Sequence, residues 1–275
     1  MGAVVSVTRT GDVEHVVRLA GSGGWERRTH EEPVWGTVVT FDVRAERFPD
    51  DYDEILARAT SYLHQVDGWF STYRADTPIT MLRNGLAPGF MMPREVTEVL
   101  EACRYAKRLT RGAFDPWAVR GGVDPSGYVK GWAAAQVADL LVRAGLTNVC
   151  VDCAGDIACR GEQAPGEPWA IGILNPYDTQ QVVEVVRIGD GAIATSGLYE
   201  RGRHIDNPRD GSTDVHYDQA TIVGPDGGLA DALATAALIE GPGCAAWFAG
   251  MPEWSVYLVK DGTASYFGPA FAHLA

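Results

Sequence analysis

Apolar and polar positions change their period along this chain, and the changes mark its elements. Residues 34–45, VWGTVVTFDVRA, predict a strand. Residues 50–70 carry apolar side chains at helical spacing, with acidic residues at the start, where a helix dipole favours them. Residues 93–110 open on Pro93 and predict a second helix. Residues 130–146 predict a third, with Gly145 near its end. The chain then turns β-rich. Short runs at 148–154, 156–161, 168–176, 182–188, 192–197, 218–224 and 254–262 are rich in β-branched residues and separated by turn formers. One helix, 231–240, interrupts this set, and Asp261-Gly262 marks a hairpin turn near the end. Helices and strands come in blocks rather than in strict alternation. That predicts an α+β fold with mainly antiparallel sheets and packed helices. Residues 1–32 are weakly patterned and read as a weakly ordered N-terminal arm or an edge strand, and 33–275 as a single domain.

Charge and cysteine content narrow the function classes. The formal net charge of −13 argues against a broad nucleic-acid surface, which needs clustered Lys and Arg. A local pocket can still be positive and hold an anionic ligand. No apolar run approaches the ~20 residues of a membrane span, and the N-terminus lacks a basic start followed by an apolar stretch. The expectation is a cytoplasmic protein with neither membrane nor nucleic acid as partner. Five cysteines, an odd number, predict reduced thiols. Cys150 and Cys153 form a lone C-x-x-C, which reads as small buried thiols in a sheet rather than as a zinc site.

Four groups of residues carry candidate chemistry. Asp231 and Thr235 are one helical turn apart, just after Gly227 and Gly228, so a carboxylate and a hydroxyl share one face. Oxygen donors of that kind suit a hard cation such as Mg²⁺, which usually keeps phosphate as a partner. Thr195, Ser196, Arg201, Arg203 and His204 form a hydroxyl-rich and basic loop suited to phosphate or sugar. The stretch 111–133 holds Asp115-Pro116, Asp124-Pro125 and Lys130-Gly131. A lysine at a helix start faces the positive end of the dipole unless an anion is present, which makes Lys130 a phosphate-contact candidate. Tyr73, in a polar turn, offers a ring for stacking on a planar ligand. Together these describe a site for a large anionic ligand with an aromatic part and a divalent metal, as a dinucleotide is. No G-x-G-x-x-G follows a strand, so the site is not a Rossmann one.

These segments resemble the motifs of the ApbE family of FAD:protein FMN transferases. Trp35-Gly36-Thr37 stands where the family opens with M-G-T. STYRADTPITMLRN (71–84) matches its serine-aromatic block, and GAFDP (112–116) is intact. DPSGYVKG (124–131) matches D-x-G-x-x-x-K-G with Ser126 where glycine is usual. AGDI (154–157) stands for G-G-D-I. ATSGLYERGRHIDNPRDG (194–211) and ADALAT (230–235) complete seven ordered motifs from about Val34 to Phe267.

The resemblance implies a two-part α+β body related to tandem T-fold units, with FAD as substrate lying between the halves. It implies Mg²⁺ held by the Asp231 carboxylate, the Thr235 hydroxyl and carbonyls near Gly127 and Ala234. Trp35 and Tyr73 would border the isoalloxazine. Ala113, Phe114, Asp115, Asp124, Lys130 and His204 would hold the adenosine and pyrophosphate, with Thr195 and Ser196 in the adjoining loop. The implied reaction moves FMN from FAD to a threonine or serine hydroxyl of an acceptor flavoprotein and releases AMP. His204 is the first candidate base, since an imidazole of pKa ~6.5 suits neutral pH, and Asp231 could share that role. Trp35 in place of methionine, Ala154 in place of glycine and Ala135 in place of aspartate depart from the pattern. A FAD pyrophosphatase and a non-catalytic FAD-binding protein are the alternatives on the same site.

Overall fold

An eight-stranded antiparallel sheet divides the protein into two hydrophobic layers. In the computed structural model, residues 24–86, 92–119, 121–197, 207–212 and 215–274 are described. The sheet's strands are β1 (Glu26–Val34), β2 (Thr37–Ala45), β3 (Asn148–Cys153), β4 (Asp156–Arg160), β8 (Gly191–Gly197), β9 (Gln219–Gly224), β10 (Ser255–Lys260) and β11 (Thr263–Phe267). Their spatial order is β1-β2-β3-β4-β8-β9-β10-β11. A second sheet contains β5 (Glu162–Ala164), β6 (Glu167–Asn175) and β7 (Asp178–Ile188). The expected α+β class with antiparallel sheets holds, and both sheets are open. The expected arm boundary at residue 32 falls inside β1, which is an edge strand paired with β2 along its whole length.

Among the described residues, three two-residue hairpins fix registers in the large sheet. Trp35-Gly36, Ala154-Gly155 and Asp261-Gly262 each place both residues at positive φ. Each links flanking pairs: Val34 with Thr37, Cys153 with Asp156, and Lys260 with Thr263. Paired positive φ matches the right-handed strand twist, and glycine takes the second position in all three. Trp35 and Ala154 adopt the left-handed region without glycine's freedom.

Among the described residues, five α-helices cover one face of the large sheet: α1 (Tyr52–Phe70), α2 (Pro78–Arg83), α3 (Arg94–Leu109), α4 (Ser126–Arg143) and α5 (Gly227–Glu240). Side chains alternate across the strands. Ala158, Ala194, Ile222, Val256 and Leu258 face the helices. Cys159, Ile193, Val223, Tyr257 and Val259 face Trp169, Ile173, Val186 and Ile188 of the small sheet, with Phe271 beside them. The central strand β9 is covered on both sides, so all six of its residues are buried and no polar–apolar alternation survives. Helix α5 is buried nearly all round, between the sheet and its neighbours α3 and α4.

Helices α4 and α5 meet backbone to backbone. A Cβ on Gly131 would collide with the Gly227 carbonyl oxygen, and one on Gly227 would collide with the Gly131 carbonyl oxygen. Gly228 in turn lies against the Tyr128 ring. Gly131→Ala is therefore expected to cost about 3 kcal/mol or more, because the helices must part. Gly68 sits in α1 with open space around it. Gly68→Ala should gain about 1 kcal/mol from helix propensity. Thermal or urea unfolding of the two variants checks the pair, and equal effects would contradict the crossing.

Candidate active site

The α4–α5 crossing brings two helix starts together and aims oxygen atoms at the space between them. Asp231, only 3% exposed, accepts the Gly131 N–H at 3.4 Å. One turn later the Thr235 hydroxyl lies 3.2 Å from Ser196 Oγ, at the end of β8. Gly127, near the start of α4, breaks the helical run with φ −80° and ψ 20°. A Cβ there would touch both Thr235 Oγ1 (3.5 Å) and the Phe114 ring (3.4 Å), so a side chain would fill this space. Ala234 is fully buried beside Thr235. Thr195 pairs across strands with Thr221, their hydroxyls 2.9 Å apart. The structure thus brings Gly127, Phe114, Ser196, Asp231, Ala234 and Thr235 together from four separate segments.

Lys130 has a partner that the linear reading did not assign. Its ammonium donates to Asp156 Oδ2, the carboxylate just after the Ala154-Gly155 turn. Asp156 is 1% exposed. Burial pushes its carboxyl above the usual range, against the pull of Lys130. The anion that a lysine at a helix start requires is present within the fold. The signal available in the sequence was the aspartate of the AGDI segment, which by itself names no partner. On the same hairpin Asp152 accepts the Gly155 N–H at 2.7 Å. Its carboxyl is raised by burial first, with Asp156 adding to the shift and the Gly155 N–H opposing it.

The loop before α4 supplies the other predicted residues. Ala113 and Phe114 are buried, and the Phe114 N–H donates to Thr110 Oγ1 at 3.1 Å. Asp115 accepts the Trp117 N–H at 3.0 Å and pairs with Lys107 at 2.7 Å. Asp124 accepts the Ser126 N–H at 3.0 Å and faces Arg83 at 3.6 Å. Arg83 also donates to the Gly121 carbonyl at 3.1 Å, so α2 clamps this loop, a role not foreseen from sequence. A cavity of about 410 Å³ lies between Ala118-Val119 and residues 207–211. Trp35 rests half-buried against the helical core. Tyr73 stands 95% exposed. Arg201, Arg203 and His204 lie outside the described residues.

Among the described residues no three His, Cys, Asp or Glu side chains converge in a way that would hold a metal ion. Nor is any described helix long and apolar enough to cross a membrane. Cys150 pairs with Cys159 across β3 and β4, their sulfurs 3.7 Å apart, and all five cysteines are free thiols.

The geometry defines a mixed helix–sheet protein with an oxygen-lined site between two abutting helix starts. The chain belongs to the ApbE family, whose model matches residues 35–120 and 117–258. It is 33% identical over 162 residues to a FAD:protein FMN transferase of Vibrio cholerae, covering 54% of this chain and 48% of that one. It is 30% identical over 162 residues to the FAD:protein FMN transferase of Escherichia coli K12, covering 54% and 46%. The chain matches about half the length of these curated relatives. In fold it is similar to the flavin transferase ApbE of Vibrio cholerae, with a TM-score of 0.76 at 23% identity, over 89% of this chain and 98% of that one. The ApbE protein of Thermotoga maritima superposes with a TM-score of 0.75 at 20% identity, over 90% and 98%.

The raised carboxyl of Asp152 has a signed consequence. A carboxyl whose folded pKa exceeds its unfolded value of ~3.9 stabilises the fold below that value, and the contribution is lost as pH rises through the folded pKa. At pH 7 the charge on Asp152 therefore costs stability. Asp152→Asn keeps an acceptor for Gly155 and removes that charge. It should raise Tm at pH 7, with the gain shrinking as pH falls toward 4. A lower Tm across that whole range would overturn the burial account.

Proposed function

We propose that this chain transfers FMN from FAD to a threonine or serine hydroxyl of an acceptor flavoprotein, in a Mg²⁺-dependent reaction that releases AMP. The observation that carries the reading is the convergence of Asp231, Thr235 and Gly127 at the α4–α5 crossing. The names of the curated relatives support the same activity.

The donor set fits a hard cation shared with a substrate. It offers one buried carboxylate, one hydroxyl and the peptide of a kinked glycine, all oxygen. That is too few for an all-protein cage and suits Mg²⁺, which keeps phosphate and water in its shell. Bound there, Mg²⁺ would neutralise pyrophosphate charge. The protein's own residues do the rest by positioning and electrostatics. Ser196 holds the Thr235 hydroxyl in place. The Gly131 N–H holds Asp231. Lys130 is held by Asp156, and that ion pair ties α4 to the Ala154-Gly155 hairpin. The acceptor hydroxyl oxygen forms a bond to the phosphorus on the FMN side, the P–O bond to AMP breaks, and the hydroxyl proton passes to a base. His204 is the first candidate for that base by chemical type.

Incubating the protein with FAD, Mg²⁺ and a desalted lysate of its own host tests the reading. A flavin-fluorescent protein band on a denaturing gel that requires Mg²⁺ is the expected result. FMN and AMP in solution without a band would mean a pyrophosphatase, and intact FAD would mean a binding protein. Asp231→Ala should abolish Mg²⁺-dependent turnover, and full activity in that variant would remove the metal assignment.

A further inference from the structure

The chain carries 36 acidic and 23 basic side chains, yet residues 102–114 hold Arg104, Lys107, Arg108 and Arg111 with no Asp or Glu. Part of this has an ordinary cause. Lys107 and Arg108 lie in the last turn of α3, where cations offset the dipole, and Lys107 is neutralised by Asp115. Arg104 and Arg111 are not explained that way. Arg104 and Arg108 are one turn apart on the same helix face, where like charges repel. Arg111 follows the helix in the left-handed region, φ 51°, a conformation that arginine rarely takes. All three are exposed, and among the described residues none forms an ion pair with a carboxylate.

The patch adjoins the segments that form the 410 Å³ cavity, whose own lining holds Arg209 and Asp210 but none of these three arginines. The Arg104 guanidinium lies 5.3 Å from the centroid of the Trp117 ring, and Trp117 leads directly into Ala118-Val119 on the cavity wall. On the facing wall Arg209 donates to the carbonyls of Thr110 (3.0 Å) and Arg111 (3.3 Å), fastening the 207–211 turn to the end of α3. Arg209 is itself paired with Glu240 at 2.7 Å.

We propose that Arg104, Arg108 and Arg111 dock an acidic segment of the acceptor protein beside this cavity. The proposal rests on the transferase reading, which requires a protein substrate. Guanidinium forks bind carboxylates in two-point fashion, and three exposed arginines suit a short acidic stretch. A long polyanion such as RNA fits poorly, because a chain of net charge −13 repels it outside this patch.

The test uses the full chain, a fluorescein-labelled twelve-residue oligoglutamate peptide and a labelled dT oligonucleotide, read by anisotropy at low and high salt. The wild type should bind the peptide, with binding weakened by salt. Arg104→Gln/Arg108→Gln/Arg111→Gln should raise the peptide Kd at least tenfold and leave FAD binding unchanged. The peptide should also inhibit flavin transfer in lysate without displacing FAD. No wild-type peptide binding, equal binding by the triple variant, or tighter binding of the oligonucleotide than of the peptide would each overturn the docking surface. Peptide binding by the wild type that the variant loses, in a preparation that transfers no flavin, would overturn the transferase reading and keep the acidic-segment site.

Discussion

The close approach of Gly131 to Gly227 is the constraint on which the rest of the structure depends. Two helices can bring their backbones into contact only where neither carries a Cβ. Because they do so near the start of each helix, the N-terminal turns of α4 and α5 lie side by side. Asp231 then lies against the Gly131 peptide, and Thr235 against the Gly127 bend. The large sheet completes the arrangement by carrying Ser196 to Thr235 at the end of β8. Ala135, where the family pattern has aspartate, packs at the same crossing near Gly227. Its methyl group leaves that contact apolar.

Charge around the crossing is arranged at some expense to the fold. Asp152 and Asp156 gather near the Lys130 ammonium, and burial raises both carboxyls. The negative charge of Asp231 is felt by Cys103, whose thiol is pushed far up, chiefly by its own burial. Buried acids in surplus over cations destabilise a folded chain unless something positive joins them. Perturbed carboxyls cluster at functional sites for the same reason.

Much of this was legible in the chain. The long helices declared themselves by spacing, and the strands by β-branched runs and turn formers. The helix carrying Asp231 and Thr235 was found, although it begins four residues earlier than its expected start at 231, at Gly227 behind the Asp226 cap. Helix α4 likewise begins at Ser126 rather than 130, because Gly127 bends the run without ending it. The hairpin at Asp261-Gly262 was read from its Asp-Gly pair. The turn at Ala154-Gly155 was also marked, between the runs 148–154 and 156–161. The one at Trp35-Gly36 was not and fell inside the single strand expected over 34–45, since tryptophan is a poor signal for a positive φ.

By itself the sequence determined the periodicities, the turn chemistry and the inventory of oxygen donors, because these depend on neighbours within a few residues. The tertiary structure decided which donors meet. Lys130 and Asp156 are 26 residues apart, Gly131 and Asp231 are 100, and Ser196 and Thr235 are 39. No local pattern encodes such pairs. It was also the tertiary structure that left Tyr73 in solvent and gave Lys130 an internal partner. The physical reason is the same in each case. Burial, dielectric and close backbone approach belong to the packed layers as a whole, and a side chain acquires its chemistry only when a distant segment comes to rest against it.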